Sequence, residues 1–372
     1  MRKIGMTCLA GVFLLSMSTE CAARQWSLKD CIDYAIANNI QLQKAKLQQY
    51  SALEDVKQSQ SALLPSLSLS TSQNVSYNPW PEKGSAMIAG NKVQAKVDKV
   101  YYNGSYSLMG NWTVWNGNRN TNQVKLNQLS VEQNECDSIT TARNIEEQIA
   151  QLYVQIAYVK ENVGVQKATL EAAIVNENRG KEMLEVGKMS KADLMQLTAQ
   201  RAQDEYNVVQ AESEVRNYKR QLKQLLQITD TEEFDIAGFE ASDEMALADI
   251  PALQSVYDNA LRNRPEFKSL ALQVESSELS KKIAKAQGLP TIGLTASAGT
   301  NTTSLGDQSW GIQAKQNFSL GGGLSISVPI IDQRQKRTAV NKAEISRQQA
   351  LLDIKDKQVE LYSTIENYWI QA

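Results

Sequence analysis

Histidine is absent from the 372 residues, which removes the commonest general acid–base side chain and zinc ligand. Proline occurs only at positions 65, 79, 81, 251, 265, 290 and 329, and the gap between Glu82 and Ile250 leaves room for unusually long helices. Cysteine is scarce, and only Cys31 and Cys136 lie beyond the N-terminal leader. Two cysteines are no disulfide framework; they would pair only in an oxidising compartment and read more simply as small buried apolar residues. Past the leader, no stretch offers the ~20 apolar residues of a membrane-spanning helix. If the chain lives in a membrane, it must do so as a β-barrel. The formal charge of −2 provides no basic face for nucleic acid. Glycine-rich phosphate loops are missing too: Gly321-Gly322-Gly323 leads into a strand rather than a helix, and reads as a turn. The carboxylate clusters Glu146-Glu147 and Glu212-Ser213-Glu214 sit in helical repeats and read as solvated faces. Neither an enzyme nor a cofactor or metal site is expected.

What is present starts with an export signal. Arg2 and Lys3 precede a mostly apolar Ile4–Met17 and the small residues Cys21-Ala22-Ala23, so residues 1–23 read as a signal peptide cleaved after Ala23. A lipoprotein signal centred on Cys21 fits less well, because Glu20 stands where a small residue is expected.

The remainder is written twice. Leu28, Asp33, Ala35, Asn38, Leu47, Gln48, Leu64, Pro65 and Leu69 recur 225 positions later as Leu253, Asp258, Ala260, Asn263, Leu272, Gln273, Leu289, Pro290 and Leu294. The expected division is therefore a first repeat over 24–251 and a second over 252–372. Each copy reads as a short helix, a longer helix, then a Leu-Pro boundary into alternating strand.

Two heptad seams follow the first strands. Ile145, Ile149, Leu152, Ile156, Val159 and Val163 form one; Val208, Ala211, Val215, Tyr218, Leu222 and Leu225 form the other. Joined at Gly187–Ser190, they predict an antiparallel helical hairpin over 118–227. Gly187 would end the first helix and Ser190 would cap the second, with Asp193 in its first turn. The first of these helices would run roughly 100 Å, a length suited to a tube or filament.

Period-2 stretches predict β-hairpins over 66–115 and 291–331. Leu67, Leu69, Tyr106, Leu108, Trp112, Val114, Ile292, Leu294, Leu324, Ile326 and Val328 alternate with small polar residues. The pattern fits a soluble sandwich and a transmembrane barrel with apolar residues outward. Four strands cannot close a barrel alone. Either the sheet is soluble or several chains pool strands by cyclic symmetry, three copies giving twelve. Residues 73–100 and 299–323 read as polar loops, expected on the exterior of a barrel. The acidic segment 228–251 reads as a linker.

Several motifs together resemble the TolC family of outer-membrane efflux proteins. They are Trp26-Ser27-Leu28 with Ala35 and Asn38-Asn39, the two Leu-Pro junctions, the strand exits Trp115–Arg119 and Val328–Asp332, and the tip Val186-Gly187-Lys188 with Ser190, Asp193 and Leu194. The resemblance spans residues 24–372. It implies an α+β membrane protein: a homotrimeric twelve-stranded β-barrel in the Gram-negative outer membrane, continued into the periplasm by an α-helical barrel. It further implies a conduit of an efflux or type I secretion system for small molecules or proteins, working with a periplasmic adaptor and an inner-membrane pump. The adaptor would meet Gly187, Lys188, Ser190, Asp193 and Leu194. The strand exits repeat at an offset of 216, and the second copy then stops roughly 70 residues short of the first. On that reading the last helix, 333–372, leaves Ile345, Leu352, Val359 and Tyr362 without a partner. The alternatives are a soluble periplasmic coiled-coil adaptor or scaffold and a non-functional truncated channel.

Overall fold

The computed structural model describes residues 25–80, 84–88, 91–95, 98–229, 234–238, 249–305 and 308–371. The expected signal peptide lies outside them, as do parts of the first polar loop and of the acidic linker. In chain order the elements are β1 (Gln25–Trp26), α1 (Leu28–Asn38), α2 (Ile40–Ser61), β2 (Ser66–Tyr77), β3 (Gly84–Ile88), β4 (Asn91–Ala95), β5 (Val100–Trp115), α3 (Arg119–Glu185) and α4 (Lys191–Leu226). They continue as β6 (Asp235–Ile236), α5 (Leu253–Asn263), α6 (Pro265–Ala286), β7 (Thr291–Thr303), α7 (Trp310–Gln316), β8 (Ser319–Ser327) and α8 (Gln335–Gln371).

The sequence repeat is a structural repeat at single-residue precision. The bounds of α1 and α2 and the start of β2 recur 225 residues on in α5, α6 and β7, and the start of α3 recurs 216 residues on in α8. The compact units cut across this duplication. One contains the described residues of 1–43 and 142–248, the other those of 44–141 and 249–372.

The first unit is built on the heptad seams. Ile145, Ile149, Ile156 and Val159 of α3 are buried, as are Val208, Ala211 and Leu222 of α4; Leu226, one residue past the seam's Leu225, is buried in its place. At its foot a cluster forms from Trp26, Cys31, Ala35, Leu42, Tyr153, Phe234 and Ile236 together with Ile145, Ile149, Ile156, Leu222 and Leu226. Burying side chains of this kind contributes about 1.5–3 kcal/mol apiece before entropy is counted. The Asn38-Asn39 motif has a physical role. Asn39 is fully buried; its Oδ1 accepts from the Gln41 amide at 2.8 Å, capping α2, while its Nδ2 donates to the Leu225 carbonyl at 3.1 Å. Ser27 caps α1 in a capping box with Asp30.

Part of the acidic segment read as a linker is strand. β6 pairs in parallel with β1, Trp26 opposite Ile236. The Tyr153 hydroxyl bridges the carbonyls of Trp26 and Ala237 at 3.2 and 2.9 Å. Tyr153 is one residue off the heptad seam, so the seam alone does not reveal it. Cys31 and Cys136 are both free and buried; burial, reinforced by Asp30, pushes the Cys31 thiol up to about 11.

The second unit holds the sheet and the helices of the second copy. α6 lies against α8, burying Leu272, Leu279, Ala350 and Leu361. Glu344 of α8 links the pair, accepting from Lys281 at 2.6 Å and from Arg347 at 2.9 Å. Of the stripe expected to lack a partner, Ile345, Leu352 and Val359 are exposed, but the Tyr362 ring meets Tyr257 edge-on at 5.4 Å.

Candidate functional site: a two-faced sheet and a helical hairpin tip

β2, β5, β7 and β8 form one antiparallel sheet in that order, leaving β2 and β8 as its edges. The register makes the alternation of the sequence into two continuous faces. Leu67, Gly110, Ala296 and Gly322 form one cross-strand row. Leu69, Leu108, Ala298 and Leu320 form the next, and Trp112, Leu294 and Leu324 another. Ile292 and Ile326 lie opposite each other towards the end where the helices attach. On the reverse face the rows are Ser66, Asn111, Thr295 and Gly323, then Ser68, Met109, Ser297 and Gly321, then Ser70, Ser107, Gly299 and Ser319. Its hydroxyls turn back onto the ladder: Ser66 and Ser68 donate to the carbonyls of Asn111 and Met109 at 3.2 and 3.3 Å.

Nine of the eleven strand residues singled out from the sequence share the apolar face: Leu67, Leu69, Tyr106, Leu108, Trp112, Ile292, Leu294, Leu324 and Ile326. Two do not hold the expected place. The register skips from Thr113 to Trp115, so Val114 is the extra residue of a bulge and Trp115 takes the position opposite Ile292. Val328 lies beyond β8, which ends at Ser327; Pro329 cannot donate to a ladder. The second loop differs as well. Gly321-Gly322-Gly323 is the middle of β8 rather than a turn, paired with Ser297, Ala296 and Thr295. Pairing overrides glycine's poor strand propensity. Between β7 and β8 stands α7, which the sequence reading missed.

The two strand exits share an unusual backbone. Gly117 and Asn118 have φ of 69° and 63°, and 216 residues later Gln333 and Arg334 have 51° and 67°. Each exit is held by the polar residue before it. The Asn116 Oδ1 accepts from the Asn120 amide at 3.3 Å, and the Asp332 carboxylate accepts from the amides of Arg334 and Lys336 at 3.1 and 2.9 Å.

The hairpin tip is equally well defined. α3 ends in a Schellman motif: the Lys188 amide donates to the Met183 carbonyl at 2.8 Å and the Gly187 amide to Leu184 at 3.0 Å, with Gly187 at φ 72°. Ser190 caps α4 by accepting from the Asp193 amide at 3.1 Å, and its hydroxyl donates to the Asp193 carboxylate at 2.7 Å. Gly187, Lys188, Ser190 and Asp193 are exposed, but Leu194 is half-buried. It leans with Leu197 towards Gly180, where an added Cβ would stand 2.7 Å from the Leu197 Cδ1 and 3.3 Å from the Leu194 Cδ1. The exposed apolar side chains at the tip are Val186, part of the tip motif though not among the expected contacts, and Met195, which the sequence reading passed over. Below the tip, Glu177 is nearly buried and accepts from Lys181, Arg201 and Thr198 at 3.2, 2.8 and 3.1 Å. The Lys181 hydrogen bond is the largest cause holding its carboxyl below 4.5, against desolvation and with help from Thr198.

Among the described residues no helix is long and apolar enough to cross a membrane, and none of them form a group of three or more His, Cys, Asp or Glu fit for a metal ion.

The fold recurs in solved structures. The chain is similar to CusC at 17% identity with a TM-score of 0.73, covering 90% of this chain and 73% of that one. It is similar to the CmeC outer membrane channel of Campylobacter jejuni at 17% identity and a TM-score of 0.71, over 90% and 68%. VceC of Vibrio cholerae matches at 18% identity and a TM-score of 0.69, over 90% and 75%. No curated protein matches the sequence. The profile of the outer membrane efflux protein family matches residues 31–227 and 256–372. The chain belongs to the outer membrane efflux protein family.

Proposed function

We propose that three copies of this outer-membrane efflux chain pool their sheets into one twelve-stranded barrel, and that the barrel is the outer-membrane section of an export duct. The observation that carries the reading is the four-stranded sheet itself, apolar on one face, small and polar on the other, with an open edge at each side. Open edges have no place in lipid. Joining β8 of one copy to β2 of the next removes every edge by a rotation that closes. Leu67, Leu69, Tyr106, Leu108, Trp112, Ile292, Leu294, Leu324 and Ile326 then face lipid, and the Ser-, Thr- and Gly-rich face lines a wet lumen.

The dimensions agree. From Tyr106 to Trp115 along β5 is roughly 30 Å at ~3.3 Å per residue, or ~23 Å of height for a strand tilted by ~40°. Outer-membrane barrels carry an apolar band of about 25 Å between aromatic girdles. The Trp112 indole serves the lower girdle, donating to the Leu63 carbonyl at 2.9 Å.

The long helices leave the sheet at one end and extend the duct into the periplasm. At the hairpin tip, Gly187, Lys188, Ser190 and Asp193 meet a periplasmic adaptor coupled to an inner-membrane pump, with Val186 and Met195 as the apolar contacts. Small molecules or proteins pass through and no bond is made or broken. Fractionation with gel migration tests this: an outer-membrane band that runs as a trimer unheated and as a monomer after boiling, with conductance in planar bilayers, is expected. A soluble periplasmic monomer would overturn it.

A further inference from the structure

We propose that α7 is an interfacial anchor, strapped across the lipid side of the sheet at its loop end and seated in the headgroup layer of the membrane. The inference rests on the lipid-facing reading of the sheet and adds a lipid-binding element to it.

Four observations converge. First, the apolar face is interrupted by polar side chains at the loop end of β7, where Thr71, Tyr106 and Thr300 form one row and Gln73, Gly104 and Thr302 the next, before β2 and β5 continue alone with Val75 opposite Tyr102 and Tyr77 opposite Val100. Those are the rows α7 covers. Second, α7 is held there by polar bonds. Gln313 is only 8% exposed; its Nε2 donates to the carbonyls of Thr303 and Gln308 at 2.9 and 2.7 Å, and its Oε1 accepts from the Thr303 amide at 2.7 Å. Thr300 donates to the Ala314 carbonyl at 2.8 Å and Asn317 to Asn301 at 2.7 Å.

Third, the strap shows apolar groups outward: Trp310, Ile312 and Phe318 are 60%, 49% and 56% exposed, with Lys315 exposed between them. The Trp310 ring meets Tyr106 edge-on at 5.9 Å and its indole donates to the Tyr106 hydroxyl at 3.3 Å. Large apolar and amphipathic aromatic side chains flanking a lysine suit the boundary between acyl chains and phosphate. Fourth, the position is right. Tyr106 stands ~23 Å above Trp115 at that tilt, and beyond it the same face carries the aromatics Tyr102 and Tyr77 with Val75 and Val100, so α7 lies near the top of a ~25 Å band, among side chains suited to the headgroup boundary.

A second copy of the chain is a poorer occupant. Copies join at the edges β2 and β8, whereas α7 lies against β7, an inner strand. Continuity with the lipid-facing rows below points to lipid, with Lys315 reaching headgroup phosphate.

Site-directed spin labelling of the full chain, reconstituted in phosphatidylcholine–phosphatidylglycerol vesicles, tests the proposal. Cys31 and Cys136 are buried, so Ile312→Cys and Phe318→Cys place labels selectively, with Leu69→Cys as the lipid reference and Lys188→Cys as the aqueous one. At 312 and 318 we expect the oxygen-to-nickel-chelate collision ratio to exceed that at 188 several-fold, at a depth shallower than 69. If both match 188 while 69 reads as lipid, α7 stands in water: the inference falls and the barrel reading survives. If 69 is aqueous too, both fall. An unlabelled check is the emission lost in Trp310→Phe, which a doxyl group near the headgroup should quench in the wild type; quenching by aqueous iodide alone would contradict the proposal.

Discussion

The strand exits give the sharpest test of how sequence sets this fold. At the first exit Gly117 is left-handed, with φ 69°. An ideal Cβ there would stand 2.7 Å from the Leu289 Cδ1, 2.9 Å from its Cβ and 3.3 Å from the Ala286 Cβ. Gly117→Ala therefore incurs about 1–2 kcal/mol for an L-residue in the left-handed region and roughly 1–3 kcal/mol for the overlap. The stiffer unfolded chain returns about 0.4–1 kcal/mol. We expect a net loss of about 2–3 kcal/mol. With an unfolding entropy of ~2.1 cal/mol/K per residue, that loss lowers Tm by roughly 3–4 °C for a chain of this size. The matched exit supplies the control. Gln333 is exposed and left-handed at 51° without the glycine, so Gln333→Gly relieves strain of about 1–2 kcal/mol and gives back up to ~1 kcal/mol of it as backbone entropy. Its Tm should hold or rise slightly. Both are read by helical circular dichroism of the detergent-solubilised protein at one scan rate. A Gly117→Ala protein with unchanged Tm, or a Gln333→Gly protein that loses as much, would refute the reasoning.

Three further outcomes are expected. Hydrogen bonds from Arg347 and then Lys281 hold the Glu344 carboxyl at about 2 rather than 4.5; because the folded value is depressed, its contribution is complete above the unfolded value and is lost as pH falls from 4.5 towards 2. Wild-type Tm should thus drop over that window more steeply than that of Glu344→Gln. Ser190→Ala removes the α4 cap at a cost of ~1 kcal/mol, and hydrogen exchange at the Asp193 amide should accelerate about fivefold. In the proposed barrel, Leu67→Arg, opposite Gly110, would place a charge on the lipid face at a cost of about 2–4 kcal/mol near mid-depth, whereas Ser68→Arg would face the lumen; unheated gels should show the trimer band lost in the first and retained in the second.

Much of this was legible because long elements carry repeated signals. The heptad seams mark residues of α3 and α4 that are buried or half-buried, and each Leu-Pro stands at the end of a helix because proline pushes the residue before it out of the helical region. What was illegible depends on partners distant in sequence. α7 is seven residues in a polar loop, too short for periodicity to show, and it is placed by Gln313 and by the Thr300 and Asn317 hydrogen bonds, all reaching between it and β7. The three glycines of β8 look like a turn until Thr295, Ala296 and Ser297 are set opposite them. The bulge at Val114 shifts the alternation by one residue, so the pattern points to Val114 and the register to Trp115. At the tip, Leu194 reads as a contact residue by its place in the motif, but Gly180 leaves a gap on α3 into which it folds.

In the proposed barrel, the composition of the inner face bears on how many copies close the ring. Each copy contributes four strands to its sheet, so two copies give eight and three give twelve. An eight-stranded barrel is just wide enough for inward side chains to fill it, and its interior demands bulk. There the inward rows would carry Ser66, Ser68, Ser70, Ser105, Ser107, Thr295, Ser297, Gly299, Ser319, Gly321 and Gly323, with Met109, Asn111 and Asn301 their larger members. Side chains this small would leave an eight-stranded interior underfilled. Their hydroxyls already bond the neighbouring strands' carbonyls, an arrangement that suits a wall facing bulk water. A wider ring meets that condition, and twelve strands is the first size available to this chain beyond eight. On the proposed barrel reading, three copies suit the same serines and glycines that would make its lumen polar.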